Sequence, residues 1–368
     1  MSKRIEYIDI AKGIGILLVV MGHNDFGLVS PFFYKLIYSF HMPLFFFVSG
    51  MLFKSEIPFF TLLRRRYQTV LQPYIVIILL IFFMTLSFTK VNFDVAAARL
   101  LKAFYANGHY IDWVQLWFLP HLFALNLFAF GFYKLVKTIR IPWSNWILLA
   151  IIQIVGVATI GIFWPFTLSL LGRDITLYGL PLSIDLILVS GFFFILGCEV
   201  NKVIPDKVFA HPVTFVGSIT TLLAMIIFLP QTIDFNTRSF QSLPINTLEA
   251  ILGITFILAL SKQIEKIPSF SVVLRYIGQT SLIILIFHVP IQEAWGEKIL
   301  RIYNNQVIAY WVAYIAGVIF PVLINYFAIQ PNPIVRTWFG KPEKPAEKIM
   351  ISGSPKDASV EQVLPDQQ

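Results

Sequence analysis

The chain has 368 residues, of which 57% are hydrophobic and only 13% are charged, and its mean hydropathy is +0.75. Soluble domains are about 45–50% apolar and about 25% charged, so this composition excludes an ordinary water-soluble protein. The net charge of +8 does not indicate nucleic acid, because Lys and Arg accumulate in the cytoplasmic loops of membrane proteins. The single cysteine, Cys198, excludes an internal disulfide and a cysteine-based metal cluster. We expect no metal site and no permanently bound cofactor.

Apolar stretches of about 20 residues recur along the chain, and each is long enough to cross a bilayer as a helix. They cover residues 11–29, 33–53, 70–88, 116–135, 144–164, 181–200, 212–230, 246–261, 277–294 and 307–328. We therefore predict an all-α polytopic membrane bundle of about ten transmembrane helices within residues 1–335. Residues 336–368 are polar and rich in Pro, Lys and Glu, which is typical of a disordered tail.

Positive charges divide unevenly between the segments that connect these stretches. With the N-terminus inside, about twenty of the 28 Lys and Arg residues fall in inner segments. This bias predicts that both termini are cytoplasmic in a multi-pass protein of the plasma or inner membrane.

The first apolar stretch contains three ionisable groups, Asp9, Lys12 and His23. At about 100° per residue, Lys12 and His23 are three turns apart and roughly 20° out of line, with Asp9 on the same side. Ionisable groups inside a span are costly unless they face protein or water, which makes them functional candidates. A neutral imidazole is suited to general-base catalysis, so we predict that His23 is catalytic and that Lys12 and Asp9 orient the site. The alternative is a structural histidine between helices.

Three consecutive arginines, Arg64, Arg65 and Arg66, follow the second apolar stretch on the predicted inner side. The planar guanidinium group makes paired hydrogen bonds to phosphate, so the triplet is a candidate binding site for the phosphates of coenzyme A. The alternative is a topology anchor or a contact with lipid head groups.

Further polar side chains interrupt or border the later apolar stretches, and together they predict a polar cavity inside the bundle. They are His41, Asp112, Trp117, His121, Asp185, Glu249 and His288. His41 lies beside Pro43, which removes a helical hydrogen bond, although a packing kink explains this proline equally well. Asp112 and Trp117 lie in the longest outer segment, which is either an aromatic belt at the membrane interface or a lip that binds an acceptor.

Several motifs resemble those of membrane acyltransferase family 3, particularly its branch of fucose-4-O-acetylase-like sugar acetyltransferases. The motifs are IDIAKGIGILLVVMGH, with a basic residue, ten residues and then His; FHMPLFFFVSGMLF; LLRRRYQTVLQPY; LWFLPHLF; and GQTSLIILIFHVPI. Lys12 occupies the position where many members have Arg, so a compact ammonium group replaces a planar guanidinium group.

The resemblance implies ten spans, acyl-CoA as a donor substrate on the cytoplasmic side, and a sugar or glycan hydroxyl as the acceptor. It favours an O-acetyltransferase that acts on a surface polysaccharide or another glycan, with the bilayer but not nucleic acid as a partner, and it is compatible with a homo-oligomer. Two alternatives remain open on the sequence. One is a polytopic transporter or glycan flippase, which also uses broken helices and midplane polar groups. The other is a polytopic acyltransferase that acts on lipids or proteins.

Overall fold

The computed structural model describes residues 6–24, 30–139, 141–170, 172–229 and 231–340. Its helices are α1 Glu6–Gly22, α2 Pro31–Met51, α3 Phe59–Arg66, α4 Gln72–Phe88, α5 Phe93–Tyr105, α6 Phe118–Thr138, α7 Ser144–Thr159, α8 Ile187–Val203, α9 Asp206–Ala210, α10 Pro212–Phe228, α11 Leu243–Ile264, α12 Pro268–Gln279, α13 Ser281–Tyr303, α14 Gln306–Ile324 and α15 Pro333–Trp338. A wider π-type turn, Tyr67–Leu71, joins α3 to α4, and another, Asn325–Ile329, follows α14.

Short elements occupy the loops. Short 3₁₀ turns cover Gly108–Tyr110 and Val114–Trp117, and Pro181–Leu186 contains 3₁₀-type turns interrupted by a kink at Leu182 and Ser183. Two antiparallel hairpins pair β1 (Phe166–Leu170) with β2 (Arg173–Leu177) and β3 (Ile233–Asp234) with β4 (Ser239–Phe240).

The long helices define two ends of the bundle. The arginine end contains Arg64 to Arg66, the beginning of α1, and α9, α12 and α15. There the hydroxyl of Tyr7 donates to Asp206 over 3.1 Å, and Arg275 pairs with Glu6 at 2.7 Å. The His23 end contains His23, α5 and both hairpins.

An all-α membrane bundle is confirmed. Within the described residues, six helical segments are long and apolar enough to cross a membrane, and α12 with α13, bent by 76°, forms a seventh if this pair counts as one span. The helices α7 and α10 are apolar but shorter. Each of the ten predicted stretches overlaps a helix, while ten complete crossings remain a prediction.

Two predicted boundaries differ from those in the structure. The described part of the first helix covers Glu6–Gly22 and so starts before the predicted residue 11, while residues 1–5 and 25–29 lie outside the described residues. At the other end of the chain, the predicted tail boundary at residue 336 falls inside α15. This helix packs on α4, where the Gln72 side-chain amide donates to the carbonyl of Thr337 over 2.9 Å, and Phe339 is buried. The folded part therefore reaches Gly340, and residues 341–368 lie outside the described residues.

Glycines let two pairs of helices cross at backbone contact. A Cβ atom at Gly50 of α2 would overlap the carbonyl oxygen of Phe194 in α8, and one at Gly197 of α8 would overlap that of Phe47. In the same way Gly278 of α12 contacts the carbonyl of Asp9 in α1. The second crossing fixes the depth of the helix that carries Asp9 and Lys12.

We expect Gly197→Ala to lower stability by about 1–3 kcal/mol, because its methyl group has no space against the α2 backbone. Thermal unfolding in detergent measures this loss. Gly217→Ala is the matched control, since no atom outside the neighbouring backbone of α10 lies within 4 Å of the point that a Cβ atom would occupy there, and it should be neutral or stabilise α10. Equal melting temperatures for the two variants would contradict the tight crossing.

A buried ion pair connects the loops at the His23 end. Arg238, beside the β3–β4 hairpin, pairs with Asp185 at 2.7 Å, and the side chains are 1% and 0% exposed. The guanidinium also lies over the ring of Trp164, 4.3 Å from its centroid. Asp185 therefore has a structural partner rather than the predicted place in a polar cavity. Glu249 is also fully buried, and neither of its carboxylate oxygens has a hydrogen-bond partner among the described residues.

Candidate active site

The site begins with an ion pair near the N-terminal end of α1. The ammonium of Lys12 lies 2.7 Å from a carboxylate oxygen of Asp9, as their separation of one helical turn predicts. Asp9 is only 4% exposed, and its second oxygen lies 3.5 Å from the amide nitrogen of Gln279 in α12. Asp9 thus fixes the position of the Lys12 ammonium.

Lys12 contributes the cationic side chain to the wall of a cavity of about 740 Å³. The described residues that line this Lys12 cavity are Lys12, Ile16, Val19, Met42, Phe45, Ser49, Thr69, Val70, Phe118, Leu119, Leu122, Ser281, Leu282 and Leu285. Ile16 and Val19 follow Lys12 by one and two helical turns, so the cavity extends along the face of α1 that leads to His23. The cavity is mainly apolar, which suits an acyl chain or the arm of an acyl thioester.

His23 lies one residue beyond the end of α1, and its backbone N–H still donates to the carbonyl of Val19 over 3.1 Å. Its side chain is exposed, although its ring centroid lies only 5.3 Å from that of the fully buried His288 in α13. The Nδ1 of His288 lies 2.9 Å from the carbonyl oxygens of Ile284 and Leu285. A carbonyl only accepts, so Nδ1 carries the proton. In the neutral ring Nε2 is then an acceptor, and it has no partner among the described residues.

Side-chain amides fix the helix ends around this histidine pair. The amide of Gln292 donates over 2.9 Å to the carbonyl of Val20, close to the end of α1, and the amide of Asn24 donates over 2.5 Å to the carbonyl of Tyr310. Pro290 cannot donate to the carbonyl four residues earlier, and Gln115 replaces that bond with a 2.9 Å hydrogen bond to Ile286. The position of His23 therefore depends on α13 and α14 as well as on α1.

His23 borders a second cavity, of about 750 Å³ including the part open to solvent, at the His23 end of the bundle. This His23 cavity is lined by His23, Asn24, Gln292, Glu293, Gly296, Glu297, Leu300, Gln306, Ala309 and Tyr310. Most of these side chains are polar, in contrast to those of the Lys12 cavity. The helix α1 thus borders an apolar cavity, and the two residues that follow its end border a polar one.

The three arginines of the triplet differ in exposure, because they lie on different sides of the same helix. Arg64 and Arg65 are exposed and line an open cavity of about 760 Å³ with Phe60, Thr61 and Gln68, whereas Arg66 is half-buried. None of the three forms an ion pair with the described residues. Gln68 lines this arginine cavity and the next residue, Thr69, lines the Lys12 cavity, so the two cavities are neighbours along one helix.

The remaining predicted histidines make local contacts in the bundle. His41 is buried, its Nδ1–H donates over 2.9 Å to the carbonyl of Ile37, and its ring meets that of Tyr38 edge-on at 4.7 Å. His121 is fully buried, and its ring nitrogens lie 3.1 Å from the carbonyl of Leu182 and 2.8 Å from the hydroxyl of Ser190. His121 therefore ties α6 to α8 and to the loop before it.

The predicted acceptor lip is not formed by its two named residues. Trp117 is only 5% exposed and packs against His121, with the ring centroids 5.5 Å apart, so it presents no ring face to a sugar. Asp112 is exposed but borders a separate, shallow cleft whose lining also includes Arg99. The structure thus separates both residues from the cavity that contains His23.

Sequence reasoning did not single out Gln292 or Tyr310, and it placed Gln115 in the acceptor lip rather than beside Pro290. One signal was available, because Gln292 follows His288 by one helical turn and therefore shares its face of α13. Tyr310 contributes its backbone carbonyl, and Gln115 contributes its side-chain amide to a backbone carbonyl. Contacts to the backbone produce no regular spacing of residue types in the sequence. Within the described residues no group of three or more His, Cys, Asp or Glu side chains is arranged to hold a metal ion.

The fold and site define a helical membrane protein with an ionic pair, an apolar cavity and a histidine along one helix. Residues 5–329 match the family described as "Acyltransferase domain", and the chain belongs to this family of membrane acyltransferases. A search of curated proteins found no match, and a search of solved structures found none either.

Proposed function

We propose that the protein is an O-acyltransferase, most simply an O-acetyltransferase, that moves an acyl group from acyl-CoA to a hydroxyl of a surface polysaccharide or another glycan. The observation that carries this proposal is the arrangement on α1. Lys12 borders an apolar cavity, and His23, eleven residues later, borders a polar one. The acyl thioester end of a donor can therefore enter the apolar cavity while a polar acceptor enters the polar one, so that the two approach α1 from opposite ends.

The donor approaches from the arginine end in this proposal. Arg64 and Arg65 are exposed and offer paired hydrogen bonds to the phosphates of coenzyme A. The thioester arm then enters the neighbouring Lys12 cavity. Eleven residues at 1.5 Å each separate Lys12 from His23 by about 16 Å, so the thioester must reach deep into the bundle.

His23 acts at the other end of this path. It removes the proton from the acceptor hydroxyl, whose oxygen attacks the thioester carbonyl; the carbon–sulfur bond breaks, and the thiolate leaves and takes up a proton. A variant of the same chemistry passes the acyl group through a transient acyl-imidazole on His23. Lys12, held by Asp9, places a positive charge beside the path of the thioester.

The orientation follows from the distribution of charge. We place the arginine end and both termini in the cytoplasm of the cell membrane, because Lys and Arg concentrate there. The glycan then binds in the His23 cavity from outside, and only the acyl group crosses.

Transfer by the purified protein in liposomes tests the proposal. With labelled acetyl-CoA and glycans, free thiol should appear together with a mass gain of one acetyl group per modified site. Glycan that crosses the membrane without thiol release would instead identify a transporter.

We expect replacement of Arg64 and Arg65 by Gln to raise the KM for acetyl-CoA by at least about tenfold. Each charged hydrogen bond contributes about 1.5–3 kcal/mol, and a factor of ten corresponds to about 1.4 kcal/mol. Replacement of both arginines by Lys should restore the KM for acetyl-CoA only in part, because an ammonium group cannot form the paired hydrogen bonds to phosphate. Initial rates against acetyl-CoA concentration measure the change.

Arg173→Gln serves as the matched control, because this exposed arginine lies in β2 at the His23 end. Its KM should equal that of the wild type. Full rescue by Lys with an unchanged KM would show that Arg64 and Arg65 only fix the topology.

A further inference from the structure

We infer that the His23 cavity accepts a polyhydroxylated group without negative charge, and that Glu293 is the residue that determines this specificity. The inference rests on the proposed function, since it concerns the acceptor of that transfer. It depends on which hydrogen-bonding groups and charges line the cavity.

The first observation is an acceptor atom without a donor. Gln292 lines the cavity and is 4% exposed, and its amide N–H₂ is engaged by the carbonyl of Val20. Its Oε1 is buried and has no donor among the described residues. Buried polar atoms are rarely left unpaired, so a ligand that supplies an O–H or N–H group is favoured here.

The second observation concerns the two carboxylates on the same wall. Glu297 pairs with Arg301 at 3.0 Å, whereas Glu293, one turn nearer to His288, has no ion-pair partner among the described residues. Both line the cavity. Glu293 therefore offers a carboxylate that accepts hydrogen bonds from the hydroxyls or the amino group of a ligand.

The third observation is the absence of a compensating cation. The described residues that line the cavity include no Lys and no Arg. A uronic acid or a phosphorylated sugar would bring a second negative charge next to Glu293, with no Lys or Arg in the lining of the cavity to offset it, and like charges at close range repel. A neutral sugar brings only hydroxyls, and an amino sugar brings an ammonium that attracts the carboxylate.

Matched pairs of glycosides test the inference. We would assay methyl glucoside, galactoside and mannoside, the corresponding methyl glycosiduronic acids, and methyl glucosaminide with purified enzyme and labelled acetyl-CoA. Neutral or amino members should be acylated, and each acid should react at least about tenfold more slowly than its neutral counterpart. An acid used as well as its neutral counterpart would overturn the inference while leaving the proposed function intact. Thiol release with none of these acceptors, nor with polymeric dextran, would instead remove the glycan acceptor from the proposed function.

A variant that removes only the charge of Glu293 distinguishes the effect of this carboxylate from that of the other charges near the cavity. Glu293→Gln should raise the KM for the accepted glycoside by about tenfold, with the KM for acetyl-CoA unchanged. The ratio of the rate with the neutral glycoside to the rate with its glycosiduronic acid should fall by a similar factor. Glu297→Gln should have a smaller effect because Glu297 already has a cationic partner. Asp94→Asn, in α5 at the same end, is the control and should match the wild type. An unchanged preference in Glu293→Gln, or equal effects of the two glutamate variants, would refute the role of Glu293.

Discussion

Replacing His23 with Ala is expected to lower acyl transfer by about 10²–10⁴-fold, the usual contribution of a general acid–base residue. The imidazole borders the polar cavity at the end of α1, and the described side chains offer no other imidazole that is exposed there. Initial rates of labelled acetyl transfer by the purified variant measure the loss. This is the largest effect that we expect from a single substitution.

The His23→Ala variant should fold normally, because the His23 contact that supports the helix end is its backbone N–H to Val19. His211→Asn is a suitable control. His211 is exposed, lies at the arginine end and caps α10 through its side chain, and Asn can retain that cap. Wild-type turnover by a well-folded His23→Ala protein would exclude His23 from the chemistry.

Replacing Lys12 with Met is expected to reduce both activity and stability. The substitution removes the ammonium from the wall of the Lys12 cavity and withdraws a cationic partner from Asp9, which is 4% exposed. Loss of one partner from a fully buried pair costs about 3–5 kcal/mol, and the partial exposure of Lys12 places the expected loss nearer 1–3 kcal/mol. Thermal unfolding and transfer rates measure the two effects separately.

The double variant Asp9→Asn with Lys12→Met distinguishes a structural pair from a functional one. Neutralising both groups removes the carboxylate charge that has lost its Lys12 partner, so part of the lost stability should return. Activity should remain low, because the cavity still lacks its cation. Recovery of activity together with stability would show that Lys12 acts only by balancing Asp9.

The sequence predicts the local features of α1 well. Lys12 and Asp9 are one helical turn apart, and this spacing is sufficient to bring their side chains into contact once a helix forms. The same periodicity places His23 on the continuation of that face. These relations depend only on helical geometry, which a single segment determines.

The lip around Trp117 shows where such reasoning fails. An aromatic residue in an outer segment is equally consistent with a surface ring and with a buried one, and the choice depends on what packs against it. In the structure, His121 packs against Trp117, which buries the ring. The same limit applies to Asp185, whose partner Arg238 lies 53 residues away in the chain.

The sequence by itself determined that the protein folds in a lipid bilayer, the order of its apolar helices, and which face of α1 carries the ionisable groups. The first two follow from composition, and the third follows from the period of one helix. Only the tertiary structure decided which groups surround His23. His288, Gln292 and Tyr310 come from α13 and α14, and they meet the end of α1 because side-chain amides bond to the backbone carbonyls of Val20, Tyr310 and Ile286. Such bonds are made to backbone atoms, which every residue carries, so no pattern of side chains along the chain identifies them.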